Sequence, residues 1–185
     1  MKKYILTFVI VFVGYLVGDS IYKEMTKDKT PGKAKRLACQ KKVTTFERGY
    51  SLADIKYAQN LIEHGSISFS SDIEKPKYSK SVLSDYITLD EMDLIFTKIL
   101  RSYVKYNEDN KSGYKLSYYI YENDKNDPGK KTKKSKLYAG YVVFEVKTIK
   151  NKSIYKVQVD FMNHKKQDIK NSLECSVKSF MTYNK

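Results

Sequence analysis

From Tyr155 to Phe161 the chain alternates apolar and polar residues, Tyr-Lys-Val-Gln-Val-Asp-Phe, as a strand does when one face meets a core and the other meets water. Asn151-Lys-Ser153 stands just before Ile154 as a tight turn. Before that turn, Leu137 to Ile149 reads as a longer strand with Val142, Val143 and Phe144 inside it. Side chains repeat every two residues, so such a hairpin fixes which sheet face is buried, and the rest of the chain must cover that face. Tyr114 to Tyr121, with aromatic and aliphatic residues on both faces, is a third strand. Leu173 to Tyr183 is expected as a fourth, with Cys175, Val177 and Phe180 inward.

Two helices precede these strands. Ser51 can cap free N–H groups, Asp54 follows three residues on, and Gly65 provides a stop; Leu52, Ile55, Ala58, Leu61 and Ile62 share one face. Residues 66–80, interrupted by Pro76, read as irregular. Thr88-Leu-Asp-Glu91 is a stronger capping box. Leu89, Met92, Phe96, Ile99 and Tyr103 recur at helical spacing behind it, widened by Ile95, Leu100 and Val104, which predicts a helix of about five turns. The expected fold class is α+β: an N-terminal hydrophobic helix, a short helix, then a long helix packed on a four-stranded antiparallel sheet. The expected organisation is a signal or anchor at 1–20, a basic linker at 21–50, a helical extension at 51–80 and the α+β domain at 81–185.

Lys2 and Lys3 precede an apolar run from Tyr4 to Val17, shorter than the roughly 20 residues a helix needs to cross a bilayer. Gly18-Asp19-Ser20 follows with small residues at both positions of a cleavage site. A cleaved secretory signal is the first reading and an uncleaved anchor over residues 4–22 the second; either makes the protein secreted or extracytoplasmic. Lys23, Lys27, Lys29, Lys33, Lys35 and Arg36 follow closely, an asymmetry that opposes export under the positive-inside rule. In an oxidising compartment Cys39 and Cys175 could pair, tying the linker to the last strand and stabilising it by roughly 4 kcal/mol or less.

The formal charge is +14, carried almost entirely by lysine, with arginine only at positions 36, 48 and 101. Base-edge readout favours the arginine fork, so nucleic acid is not the expected partner. The basic patch Lys130, Lys131, Lys133 and Lys134 reads instead as a solvated loop or a docking point for an acidic protein or an anionic membrane surface. Tyr118, Tyr119, Tyr121, Tyr138 and Tyr141 surround it in the sequence pattern. His64 and His164 are the chain's two histidines, and neither they nor the cysteines fall in close ligand pairs. No nucleophile–base pair, phosphate-cradling glycine loop or dinucleotide fingerprint is present, so neither an enzyme nor a cofactor or metal is expected. Asn110-Lys-Ser112 and Asn151-Lys-Ser153 fit the N-glycosylation pattern in turns.

A long helix followed by an antiparallel meander behind an export signal resembles the cystatin fold over roughly residues 86–185. Lys136-Leu-Tyr-Ala-Gly140 stands about where that family carries its glutamine-x-valine-x-glycine hairpin tip, with Lys136 and Tyr138 in place of glutamine and valine. Glu174-Cys175-Ser-Val177 is similar to the family's late-strand cysteine. The resemblance implies a non-enzymatic binder, possible as an inhibitor of a papain-like protease, acting through Lys136, Leu137, Tyr138, Ala139 and Gly140. The alternative is a membrane-tethered envelope or assembly protein whose sheet docks onto partner subunits.

Overall fold

The computed structural model describes residues 36–106, 113–130 and 132–184. The chain divides into Met1–Gly32 and Lys33–Lys185, and all of these residues belong to the second unit. The expected N-terminal hydrophobic helix, the cleavage site at 18–20, Asn110 and Lys131 lie outside them.

Five strands form one sheet in the order β1-β5-β4-β3-β2: β1 Thr45–Gly49, β2 Phe69–Glu74, β3 Tyr114–Glu122, β4 Gly140–Thr148 and β5 Ser153–Phe161. The β3-β4-β5 meander is antiparallel, β1 joins β5 antiparallel, and β2 lies parallel to β3. A parallel pair needs a crossover. That crossover contains α2, Leu89–Arg101; α1 is Leu52–Glu63 and α3 is Lys166–Met181.

Both expected N-caps form. Ser51 Oγ accepts from the Asp54 N–H, and Gly65, at φ 97°, supplies the left-handed residue that ends α1. At Thr88 both halves of the capping box are made at 3.3 Å. Helix α2 is 13 residues, between three and four turns rather than five, because Ser102 closes it by bonding back to the Ile99 carbonyl.

All three helices lie on one face of the sheet, which register resolves into cross-strand rows. One row runs Ile73–Ile120–Val142–Val159–Thr45, the next Ser71–Tyr118–Phe144–Val157–Glu47, and the third Phe69–Leu116–Val146–Tyr155–Gly49. Phe96 of α2 meets Tyr118 and Phe69 at centroid distances of 4.6 and 4.7 Å, and Phe180 of α3 meets Tyr155 at 5.0 Å. Large aromatic area buried in such edge and tilted contacts dominates a core of this size.

The fourth strand expected at 173–183 is instead part of α3. Ile169, Leu173, Val177 and Phe180 recur at helical spacing, but serines share the buried face. They are satisfied locally: Ser176 Oγ donates to the Leu173 carbonyl and Ser179 Oγ to the Cys175 carbonyl, both at 2.7 Å. Those polar residues break the apolar stripe into an apparent two-residue alternation. The sheet therefore has five strands, not four, through two short ones the sequence hides. In β1 the inward residues are Thr45, Glu47 and Gly49, and its one aromatic, Phe46, points outward. In β2 inward Phe69 and Ile73 flank Ser71, with Pro76 close behind.

Cys39 and Cys175 form a disulfide with Cα atoms 5.9 Å apart. It ties the segment before β1 to the middle of α3, not to a strand. Buried Gln40 reinforces it, donating from Nε2 to Ser179 Oγ at 2.9 Å and to Glu47 Oε2 at 3.0 Å, while the Tyr155 hydroxyl donates to Glu47 Oε1 at 2.6 Å. A disulfide of this kind persists in oxidising compartments, which suggests an extracytoplasmic environment. No helix among the described residues is long and apolar enough to cross a membrane.

Candidate functional site

With the described helices on one face, the other face of the sheet carries no helix among the described residues. Strand parity decides what stands there: Leu116, Tyr118 and Ile120 point inward, so Ser117, Tyr119 and Tyr121 must point out. Pairing extends this into three rows. Glu74–Tyr121–Tyr141–Asp160 is the first, Asp72–Tyr119–Val143–Gln158–Phe46 the second, and Ser70–Ser117–Glu145–Lys156–Arg48 the third. The surface grades from aromatic at the β4 start to charged at the β4 end.

The aromatic end is ordered by register. Tyr121 and Tyr141 are direct cross-strand partners, and their rings stack with centroids 4.6 Å apart and planes at 22°. Tyr119 meets Tyr141 edge-on at 6.3 Å, and Tyr138 approaches it at 6.4 Å. Lys130 Nζ sits 5.1 Å over the Tyr121 ring, donates to the Tyr121 hydroxyl at 3.1 Å and donates to Asn123 Oδ1. Phe46, 63% exposed, closes the second row at the β1 edge. Val143 is only 1% exposed although none of the described helices lies on its face; Tyr119 and Gln158 are its cross-strand partners and Tyr141 stands two residues before it on the same face.

The electrostatics are those of a partly dried surface. Burial, helped by Glu74 and Glu145, raises the Tyr119 hydroxyl above its ordinary pKa. Burial, with Tyr119, Tyr121 and Glu74 beside it, raises Tyr141 well above that range. Burial also raises Tyr138, against the pull of Lys130 and with the help of Asp160. Asp160, 5% exposed, is raised by burial although Gln158 Nε2 donates to its Oδ1 at 3.0 Å. These tyrosines stay protonated at neutral pH and offer hydroxyls on a half-buried aromatic platform, the amphipathic combination favoured at interfaces.

Residues expected from the sequence are scattered by comparison. Lys136 is exposed and Leu137 is 65% exposed, but Ala139 and Gly140 are buried at the start of β4. The Ala139 N–H donates to the Phe161 carbonyl, and the Tyr138 carbonyl accepts from Asn123 Nδ2 at 2.8 Å. Ala139 and Gly140 thus lead into the central strand of the sheet, while Lys136 and Leu137 stand in solvent. Of the basic patch, Lys130 belongs to the tyrosine platform, while Lys133 and Lys134 are exposed around a short 3-10 turn. Glu74, Asp160, Gln158 and Phe46 went unseen in the sequence; inward–outward parity along β5 could have placed Asp160 and Gln158.

Other chemistry-bearing groups serve the fold. Buried Glu122 accepts from Ser81 Oγ, the Val82 N–H and the Leu83 N–H, and His164 Nε2 lies 3.5 Å from it. Asp124 likewise accepts from Ser79 Oγ and the Tyr78 N–H. His64 stacks on Tyr106. Among the described residues no group of three or more His, Cys, Asp or Glu could hold a metal ion.

The geometry defines an α+β domain whose described helices all lie on one face of the sheet. No family model matches the chain and no curated protein matches it. Among solved structures it is similar to a point variant of PelC from Paraburkholderia phytofirmans, described as a dodecamer, at 12% identity and a TM-score of 0.36, over 77% of this chain and 100% of that one.

Proposed function

We propose that the chain is an exported, non-enzymatic binding protein that docks a protein partner through the open sheet face, and that residues 4–22 keep it at the membrane. The observation that carries this reading is the stacked Tyr121–Tyr141 pair with Tyr119 and Tyr138 around it on a face that none of the described helices covers. Tyrosine on a rigid strand gives large contact area at low entropic cost, and such residues carry a disproportionate share of interface energy. A protease inhibitor acting through Tyr138 to Gly140 finds less support, because burial of Ala139 and Gly140 leaves little to enter a cleft.

Photo-crosslinking in the native host tests the reading. A photoreactive phenylalanine analogue replaces Tyr119 or Tyr141, and in a control replaces exposed Leu94 on α2. A discrete protein adduct from the two sheet positions is expected. Adducts absent there, or equal at Leu94, sink the proposal. N-terminal sequencing of the native protein with its cell fraction decides between anchor and cleaved signal.

A further inference from the structure

The helical side of the domain carries a second surface of different character. Between α2 and α3 runs a groove of about 760 Å³. Its floor is the outward part of Ile95, Ile99 and Tyr103, half-buried residues that pack inward on the core. Its rim is basic: Lys98 on one wall, then Lys166, Lys170 and Lys178 down the other, against the single carboxylate of Glu174. Spacing of four residues puts Lys166, Lys170, Glu174 and Lys178 on one line of α3. Lys166 bonds Glu91 at 2.9 Å across the two helices, and Lys170 lies 3.7 Å from Glu174. Lys98 and Lys178 are exposed and have no ion-pair partner among the described residues.

An apolar floor under a cationic rim matches an anionic amphiphile, with acyl carbon below and a phosphate at the lysines. Where the chain enters the described domain favours a lipid surface over an acidic protein. Arg36 is three residues from Cys39, whose disulfide fixes this entry against α3. Ala38, Cys39 and Lys42 line an adjoining cleft that shares Glu174 and Lys178 with the groove. The first described residues, from Arg36 to Lys42, therefore start the domain beside the lysine rim, on the helical side of the sheet. We infer that the α2–α3 groove docks onto anionic phospholipid headgroups, leaving the sheet face turned toward the partner. This rests on the membrane-held form of the proposed function, but it can fail while sheet-face docking stands.

Full-length protein reconstituted in phosphatidylcholine vesicles, with and without phosphatidylglycerol, allows a residue-resolved test by lysine acetylation and mass spectrometry. Lys98, Lys170 and Lys178 are expected to label about fivefold more slowly on the anionic vesicles, with protection lost at high salt, while Lys133 and Lys134 label equally on both. A Lys98→Gln/Lys178→Gln variant, altering two exposed unpaired lysines, should abolish the protection remaining at Lys170. Equal labelling of the groove lysines on both vesicles overturns the inference. So does protection that appears only when an acidic protein fraction is added, which assigns the groove to a protein instead.

Discussion

The hydroxyl of Tyr118 donates a 2.5 Å hydrogen bond to Oδ1 of Asp93, joining the second row of the covered sheet face to α2. Ser71 Oγ of β2 donates to the other oxygen at 3.0 Å. One carboxylate thus holds two strands and the crossover helix together. Burial and the neighbouring Asp93 raise the Tyr118 hydroxyl far above its ordinary pKa, so it remains a donor at any physiological pH.

Tyr118→Phe should therefore cost about 1 kcal/mol, the net worth of one such bond, with Asp93 still served by Ser71. Asp93→Ala should cost more, about 1–3 kcal/mol, because it orphans a buried hydroxyl. Urea denaturation of the two variants checks the order. Equal or inverted losses would show that the bond is not what ties α2 down.

The Cys39–Cys175 bond closes a loop with a sequence separation of 136. Reduction, or the double change Cys39→Ser/Cys175→Ser, should lower stability by about 2–5 kcal/mol. Denaturation with and without reductant measures it, and an unchanged midpoint would mean Gln40 and its partners suffice to hold the segment.

Gly140 has no room for a side chain. A Cβ there would lie 2.1 Å from the Tyr121 carbonyl oxygen and 2.4 Å from the Phe161 ring, whereas one at Gly113 would meet nothing within 4 Å. Gly140→Ala should cost about 3 kcal/mol or more, as overpacking against backbone does, and Gly113→Ala should fall within about 0.5 kcal/mol of wild type. Thermal melts of both compare them directly.

Asp160 carries a pH signature. Its folded pKa is raised by burial, so the favourable protonated state contributes stability below the unfolded pKa near 3.9, and that stability is lost as pH rises through the folded pKa. Asp160→Asn removes the ionisation and should stabilise the protein at neutral pH, with the advantage over wild type vanishing at acid pH. Melting temperatures across pH would expose the pH dependence; a variant less stable than wild type at neutral pH would show that ionising Asp160 carries no net cost to the fold.

How legible the fold was depended on where each element spends its apolar residues. Strand β5 was readable because Val157 and Val159 alternate with polar neighbours, and β3 and β4 because aromatic and β-branched residues such as Tyr118, Val143 and Phe144 are concentrated in them. The caps at Ser51 and Thr88 were readable because capping is local chemistry. Helix α3 was misread because Ser172, Ser176 and Ser179 occupy its buried face and look polar in sequence. Strand β1 was hidden for the complementary reason: its inward Glu47 and Thr45 are paid for by hydrogen bonds from distant Tyr155 and by proximity to β5, which no local window shows. The candidate site was half visible. Its tyrosines stood out, but which pointed outward depended on register, and Asp160 and Glu74 joined them only through strand pairing.

The disulfide also sets a schedule for making the protein. Cys39 leaves the ribosome long before Cys175: at 5–20 residues per second the interval is roughly 7–27 s. Throughout it the early thiol has no native mate, so an oxidant that captures it must hold it as a mixed disulfide or release it again. Covalent closure comes only after helix α3 has been made, so the bond can seal the domain only once every described strand has been synthesised.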